Sequence, residues 1–517
     1  MKILFINCDI RPDSRWKQFP VGLAYIVTAV RNAGFTFDIL DVQIDSLTDQ
    51  QVEDFLAKHK YDVIAFGTIV THYKWVKWFI NTIKAHQPQC KVIVGNSVGD
   101  TIAEVLFART PVDIVVCGEG DVTIVEVLKA LNEGRPLGEA IEPAIPVPHA
   151  HCDYPPTVRG KGVEGVIFRD PKGRIVNNGL RKAVRHIDEI PFPDWELFDA
   201  ERYLATGRHN IIGVPTKYAE DEAIAMPVVT ARGCVFKCTF CYYAEWNDPY
   251  RHRSPENVIA EIRHLKERYG ANYINFWDNL SFHKLGPTEK FLDALIEADL
   301  GIHFTAAIRS DLFGRTDIPY EDRLRVAEKF RKAGALVLAY SLESANNDIL
   351  ATMNKRVKGE YFTEQTRLLQ KVGGMVIQSS LVFGYPQETK ETIAQTMQAC
   401  RNLDLYPSPG FLLPLPATGM WKYAVDQGYI KDPDHYLSTL TERQDIVLNM
   451  TKLSDQELME EVTRWLETLD EEFELGLRAK NALIRTGGLT RHGKYQRETI
   501  KRRNSNQFNY ALMAGSL

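Results

Sequence analysis

Two runs of alternation constrain this chain more than any single residue does. Short apolar segments of strand length alternate with amphipathic segments of helical period, first over residues 1–140 and again from residue 226. The first run reads as strands Lys2–Asn7, Phe37–Asp41, Val63–Gly67, Lys91–Gly95 and Val112–Cys117. Helices Val21–Ala33, Asp49–Lys58, Lys74–His86, Ile102–Ala108 and Val122–Asn132 fall between and after them. Thr48 and Gln51 have the spacing of a capping box, and Gly34 stops the first helix. Strands that are apolar throughout are buried on both faces, which requires helices on both sides of a parallel sheet. An α/β, Rossmann-like, doubly wound domain is expected over 1–140. Ligands of such sheets bind beyond the carboxyl ends of the strands.

The second run has strands at Val228–Thr230, Tyr273–Trp277, His303–Ile308, Val337–Leu342, Val376–Phe383 and Phe411–Leu415, with helices such as Pro255–Tyr269, Tyr320–Ala333, Glu360–Val372 and Thr389–Asn402. Eight βα units close a barrel. About six predict a partial, open (β/α)6 barrel over 226–430. Residues 141–225 read as a proline-rich connector containing a hairpin, Val163–Arg169 with Arg174–Asn178. Residues 431–517 read as a mostly helical region. Its acidic amphipathic helix, Ser454–Leu475, precedes a tail in which Arg478, Lys480, Arg485, Arg491, Lys494, Arg497, Lys501, Arg502 and Arg503 outweigh Glu498. That tail is read as a solvated strip, or as a site for an acidic group.

The strand entering the second run leads into Ala-Arg-Gly-Cys234-Val-Phe-Lys-Cys238-Thr-Phe-Cys241-Tyr-Tyr. Three thiols spaced C-x3-C-x2-C can hold three corners of an iron–sulfur cube and leave the fourth iron open to a ligand. Zinc, which takes four protein ligands in structural sites, and three structural cysteines are the competing readings. Cys8, Cys90, Cys117, Cys152 and Cys400 are scattered, with no disulfide framework.

On the motif and the aromatic Tyr242 and Tyr243 after it, the chain resembles the radical S-adenosylmethionine (SAM) superfamily. With a Rossmann-like domain ahead of the motif, it resembles the cobalamin-binding (B12-binding) subclass, over roughly residues 1–430. The resemblance implies a 4Fe–4S cluster on Cys234, Cys238 and Cys241, SAM on the open iron, and cobalamin over the first domain. It implies cobalamin contacts from Thr71, His72 and Tyr73 after the third strand, from Gly95, Asn96 and Ser97 after the fourth, and from Gly118, Glu119 and Gly120 after the fifth. The D-x-H-x-x-G cobalt-ligand pattern of other cobalamin enzymes is absent, and taken alone the first domain is a doubly wound domain of the kind that binds flavin, nucleotides or nothing.

Polar residues at the barrel's strand ends complete the expected site: Asp278, Asn279, Arg309, Asp311, Ser341, Glu343, Gln378 and Ser380. By resemblance, Glu343, Ser341, Gln378 and Ser380 contact SAM's amino group or ribose and the Tyr243 backbone meets adenine; the planar guanidinium of Arg309 is suited to pair bidentately with SAM's carboxylate. For each of these side chains the competing reading is a structural salt bridge or hydrogen bond in the barrel mouth. The implied activity is methylation of an unactivated carbon, through a 5′-deoxyadenosyl radical and methylcobalamin. Non-methylating radical chemistry (cyclisation, ring contraction or oxidation) and a cobalamin-binding sensor or carrier are the alternatives. A substrate of unassigned class and an external low-potential electron donor are the implied partners.

The net charge of −5 offers no electrostatic case for nucleic acid or a membrane surface. No apolar run reaches the ~18 residues that span a bilayer, and Met1 leads directly into a strand pattern with no signal peptide. A cytoplasmic, reducing location is expected.

Overall fold

The computed structural model describes residues 1–12, 14, 17–145, 155–207, 223–242, 249–441, 443–480, 483, 484, 489 and 490. The first unit runs β1 (Ile3–Asn7), α1 (Val21–Asn32), β2 (Asp38–Asp41), α2 (Asp49–Lys58), β3 (Val63–Gly67), α3 (Tyr73–His86), β4 (Lys91–Gly95), α4 (Asn96–Asp100), α5 (Ala103–Arg109), β5 (Ile114–Val116) and α6 (Gly120–Asn132). The first five strands are parallel in the order β2-β1-β3-β4-β5. That order reverses between β1 and β3, the switch point at which doubly wound sheets bind ligands. The capping box forms: Thr48 Oγ1 accepts from Gln51 N–H at 3.3 Å, and Gln51 Oε1 accepts from Thr48 N–H at 2.9 Å. Such a cap stabilises its helix by about 1 kcal/mol.

The connector expectation needs correction. Strands β6 (Gly138–Ile145), β7 (Thr157–Gly162), β8 (Val166–Arg169) and β9 (Ile175–Asn177) extend the first sheet to nine strands, through an antiparallel β5–β8 pairing. The expected hairpin is β8–β9. Its docking covers the edge of β5, whose backbone groups would otherwise be unpaired. Farther on, Trp195 is buried against Phe19 and Phe198. From α7 (Ala200–Gly207), the Tyr203 hydroxyl donates to Asp41 at 2.6 Å and accepts from Asn7 Nδ2 at 2.7 Å. This part of the connector is packed structure, because its aromatics have non-local partners that composition does not reveal.

The second unit begins at β10 (Ala225–Val228), followed by the short β11 (Ala231–Arg232) and β12 (Arg251–His252). Then come α8 (Pro255–Tyr269), β13 (Tyr273–Phe276), α9 (Leu285–Ala298), β14 (His303–Ala307), α10 (Tyr320–Lys332), β15 (Ala335–Ala339), α11 (Asn347–Thr352) and α12 (Gly359–Val372). They are followed by β16 (Val376–Gln378), β17 (Ser380–Phe383), α13 (Lys390–Arg401), β18 (Leu405–Tyr406) and β19 (Ser408–Phe411). Strands β10-β13-β14-β15-β16 form one parallel sheet. The expected fifth strand breaks at Ser379, and its second half, β17, pairs in parallel with β19. A bridge between Glu343 and Leu381 joins the two sheets. The sixth strand, expected at Phe411–Leu415, starts three residues earlier and ends four residues earlier. Six parallel strands make the partial barrel.

Alternation along these strands sorts the side chains. Ile274, Phe276, Phe304, Ala306, Leu338 and Ile377 face the helices in the main apolar core, where Phe276, Phe282, Phe304 and Phe330 pack edge to face or tilted. The opposite, inner face carries Asn275 in register with Thr305, and Ala307, Ala339 and Gln378 in register with one another. These inner-face residues are small or polar, unlike the apolar residues that face the helices.

The C-terminal region contains α14 (Gly419–Asp426), α15 (Pro433–Thr439), α16 (Asp455–Glu472) and a two-residue strand, β20 (Leu489–Thr490), paired with β18. Ser454 and Glu457 form the capping box of α16, which buries Leu458, Val462, Leu466 and Leu469. Trp421, Tyr436 and Leu437 from α14 and α15 join Val70 and Tyr73 in the second core of the first unit. Arg478 pairs with Glu467 at 3.3 Å; the cations of the tail from Arg485 onward lie outside the described residues. Among the described residues no helix is long and apolar enough to cross a membrane.

Candidate active site

The cysteine loop is held from several strand ends at once. Asp278, just past β13, accepts from the N–H groups of Thr230 and Ala231 at 2.8 and 3.0 Å and from the Thr230 hydroxyl. Burial raises the Asp278 carboxyl above its ordinary range while these donors pull it down. Thr239, between the second and third cysteines, gives its N–H to Met353 O at 2.9 Å and its hydroxyl to Thr352 O at 2.9 Å. Its Oγ1 is also 3.1 Å from the Tyr385 hydroxyl, and its carbonyl accepts from Met420 N–H at 2.9 Å. Strands β11 and β12 close the base of the loop as an antiparallel pair.

Cys238 is buried, while Cys234 and Cys241 are half-buried. Burial raises the Cys238 thiol, and the positive charges of Lys355 and Arg309 oppose that rise. Iron ligation needs thiolates, so two cations beside the loop suit a cluster carried on three of them. Among the described residues no three His, Cys, Asp or Glu side chains converge as they would around a single ion. A cubane takes each thiolate on a different iron and needs no such convergence.

Around the loop stand the barrel's strand-end residues. Glu343 is buried with φ +62°, a left-handed backbone that costs a non-glycine residue of order 1–3 kcal/mol. Its carboxylate accepts from Lys355 Nζ at 2.7 Å. Lys355 was not foreseen. It stands between Asn354 (φ +49°) and Arg356 (φ +53°), and nothing in its spacing marks it. Arg309 departs from the expected role of a free carboxylate clamp. Its guanidinium donates to both oxygens of Asp311 at 3.0 and 3.3 Å and to Lys355 O at 2.9 Å, and it stacks 3.1 Å from the Phe236 ring centroid. With its donors turned to protein, it braces the loop. Gln378 is 3% exposed and its Nε2 has no partner, nor does the buried Ser379 hydroxyl. Unpaired buried donors are costly, and the Gln378 amide, on the inner face, suits a bound acceptor. Ser380 is half-buried on that face, beside Ser408 of β19. Ser341 is half-buried, and its carbonyl lies 3.4 Å from Ser310 Oγ. Tyr243 lies outside the described residues.

In the first unit, Gly67 and Gly95 are in register at the ends of β3 and β4. A Cβ on Gly95 would meet nothing nearer than Val116 O at 3.9 Å, and one on Gly118, at φ +70°, would meet nothing within 4 Å. At Gly95 and Gly118 the backbone is uncovered and suits close approach of a ligand, whereas a Cβ on Gly67 would press on Asn96 and Gly95 at 3.2 Å. Asn96 is exposed there, while Ser97 is buried and its Oγ accepts from Val70 N–H at 2.8 Å, shaping the neighbouring loop. Thr71 and His72 are half-buried in that loop. Burial lowers His72 to about 4, so its imidazole is neutral at neutral pH, stacked on Trp75 with Nδ1 3.4 Å from Thr68 Oγ1. Tyr73 is not at the site. It is fully buried, and its hydroxyl donates to Asp434 of α15. Glu119 is also turned elsewhere, accepting from Arg251 at 2.9 and 3.0 Å, while Gly120 opens α6.

Residues 228–400 match the radical SAM superfamily and residues 15–128 match the B12 binding domain. An uncharacterized methyltransferase of Pyrococcus horikoshii is 26% identical over 411 residues, covering 78% of each chain. An anaerobic magnesium-protoporphyrin IX monomethyl ester cyclase of Rubrivivax gelatinosus is 24% identical, over 78% of this chain and 66% of that one. In fold, the chain is similar to the cobalamin-dependent S-adenosylmethionine radical enzyme OxsB, with TM-score 0.61 and 16% identity over 92% of this chain and 61% of that one.

Proposed function

We propose a reaction for this chain from what its two matched domains make it, a cobalamin-dependent radical SAM enzyme: it is a methyltransferase that acts on an unactivated carbon of its substrate. When bound, cobalamin supplies the methyl carrier, and SAM on the 4Fe–4S cluster supplies the radical that opens the C–H bond. In this reading Cys234, Cys238 and Cys241 hold three irons. Glu343 and the donors of Gln378 and Ser380 orient SAM, and Arg309 and Asp311 brace the loop. The backbone at Gly67, Gly95 and Gly118, with Thr71, His72, Asn96 and Gly120 around it, carries the corrin. Residues 1–140 are then the cobalamin unit, 226–430 the radical unit and 431–517 the flank that contributes to substrate choice. An external low-potential donor provides the electron.

One observation carries this reading. The base of the cysteine loop is ion-paired to the loop after β5 and the first turn of α6, through Arg251–Glu119 and Arg232–Asp121. Those ion pairs tie the cysteine loop to a strand-end segment of the first sheet, which supports a reaction shared between two cofactors. The methyltransferase relative supports transfer. The cyclase relative favours a second reading, non-methylating chemistry on the same cofactors. A single-turnover assay under argon separates them. About one S-adenosylhomocysteine per bound cobalamin, before any substrate is added, is expected of the methyltransferase. Formation of 5′-deoxyadenosine alone supports the second reading instead.

A further inference from the structure

The two-residue ribbon that closes the cysteine loop has an internal conflict. Arg232 of β11 and Arg251 of β12 are directly opposite one another in its register. Like charges across an antiparallel pair repel, and so short a ribbon has no stability of its own. Both charges are answered from the first unit, by the loop after β5 and the first turn of α6. Arg251 gives two bonds to Glu119, at 2.9 and 3.0 Å, and its side chain is 8% exposed. Arg232 gives two bonds to Asp121, at 2.8 and 3.1 Å, and lies 3.3 Å from Glu119. Tyr25 of α1 lies under the Arg232 guanidinium at 5.0 Å, and Val184 N–H adds a bond to Glu119 at 3.1 Å. Two bidentate arginine–carboxylate forks fix orientation as well as distance. Arg232 stands two residues before Cys234, and Glu119 follows Gly118, whose backbone is uncovered.

We infer that Glu119 and Asp121 are positioning residues which, by neutralising Arg232 and Arg251, close the base of the cysteine loop and set the cluster at a fixed distance and angle from the cobalamin face. The inference rests on the two-cofactor reading above. It ties loop closure to the first unit: the carboxylates that answer the ribbon's two charges come from the loop after β5 and the first turn of α6. A ligand that shifts that loop therefore changes the cluster's setting.

The test uses the full chain, anaerobically reconstituted with cluster and cobalamin. Glu119→Gln and Asp121→Asn each keep shape and remove charge. Glu126→Gln, on the same helix but paired with Arg181, is the control. Two readouts are taken: hydrogen exchange over 231–234 and 251–253, and the enhancement of cob(II)alamin spin relaxation by the reduced cluster. Glu119→Gln and Asp121→Asn should each speed exchange at the loop base about tenfold, about 1.4 kcal/mol, with α8 and β13 unchanged, and should weaken or broaden the spin coupling. Glu126→Gln should do neither. If Glu119→Gln folds poorly, Asp121→Asn alone decides. Unchanged exchange and coupling in the variants, or equal loosening in Glu126→Gln, overturns the inference. Failure of the wild-type protein to take up iron or cobalamin would instead sink the two-cofactor reading.

Discussion

Replacing Lys355 with methionine should destabilise the second unit by about 3–5 kcal/mol. Lys355 Nζ lies 2.7 Å from Glu343 Oε1, and the two side chains are 13% and 8% exposed. At an effective dielectric of about 20, a pair at that separation attracts with roughly 6 kcal/mol. Desolvation offsets much of this in the intact pair, but removing one partner strands the other, which costs about 3–5 kcal/mol. Glu343 has little room to escape, because its backbone is in the left-handed region and hydrogen-bonded on both sides, to Ser380 O and from Val382 N–H. With a urea slope of about 3 kcal/mol per molar, the midpoint of the apoprotein transition should fall by about 1–1.7 M. Glu343→Leu combined with Lys355→Met removes both charges and should return to within about 1–2 kcal/mol of wild type. SAM binding to the reconstituted double variant, measured by calorimetry, should nonetheless remain at least about tenfold weaker if Glu343 holds the amino group. A loss below about 1 kcal/mol for Lys355→Met, as an exposed pair would give, refutes the reasoning. So does a double variant as unstable as the sum of its parts.

Changing Cys234, Cys238 or Cys241 singly to alanine should abolish 5′-deoxyadenosine formation and lower bound iron, read by iron analysis and chromatography; turnover with a full cluster in any of the three would disprove the ligand assignment. Glu388, buried beside Gly384 and Thr392, is raised by burial to about 7. The folded state then binds a proton more tightly than the unfolded one. Its contribution is fully present below about pH 4.5 and is lost as pH rises through about 7, an effect of about 3 kcal/mol. Glu388→Gln should flatten the thermal stability profile between pH 5 and 8, and an unchanged slope counts against it. Tyr73→Phe removes a bond to an ionised acceptor and should cost about 1.5–3 kcal/mol, while cobalamin affinity in an absorbance titration stays within about twofold of wild type.

Much of the fold was legible because its signals are local. The capping box at Thr48 depends on residues three positions apart, and helix Asp49–Lys58 begins and ends where its sequence pattern does. The strand ends were legible too, since apolar runs that stop at glycine or at polar residues mark the carboxyl edge of a parallel sheet. Less legible was how far a side chain reaches from that edge. Tyr73 adjoins His72 in sequence, but it begins α3 and points into the core toward Asp434, some 360 positions away. Arg309 sits at a strand end as expected, yet Asp311, two residues on, occupies its guanidinium.

The order of the units, the parallel α/β architecture and the three-cysteine loop were written in period, punctuation and spacing, which involve contacts within a few residues. The docking of β8–β9 on β5, the Glu343–Lys355 pair, and the arginine–carboxylate clasp between the units were not. Each joins segments 12 to more than 130 residues apart. Their energy comes from burial and from charges brought together by the packed chain, and a linear pattern carries no record of either.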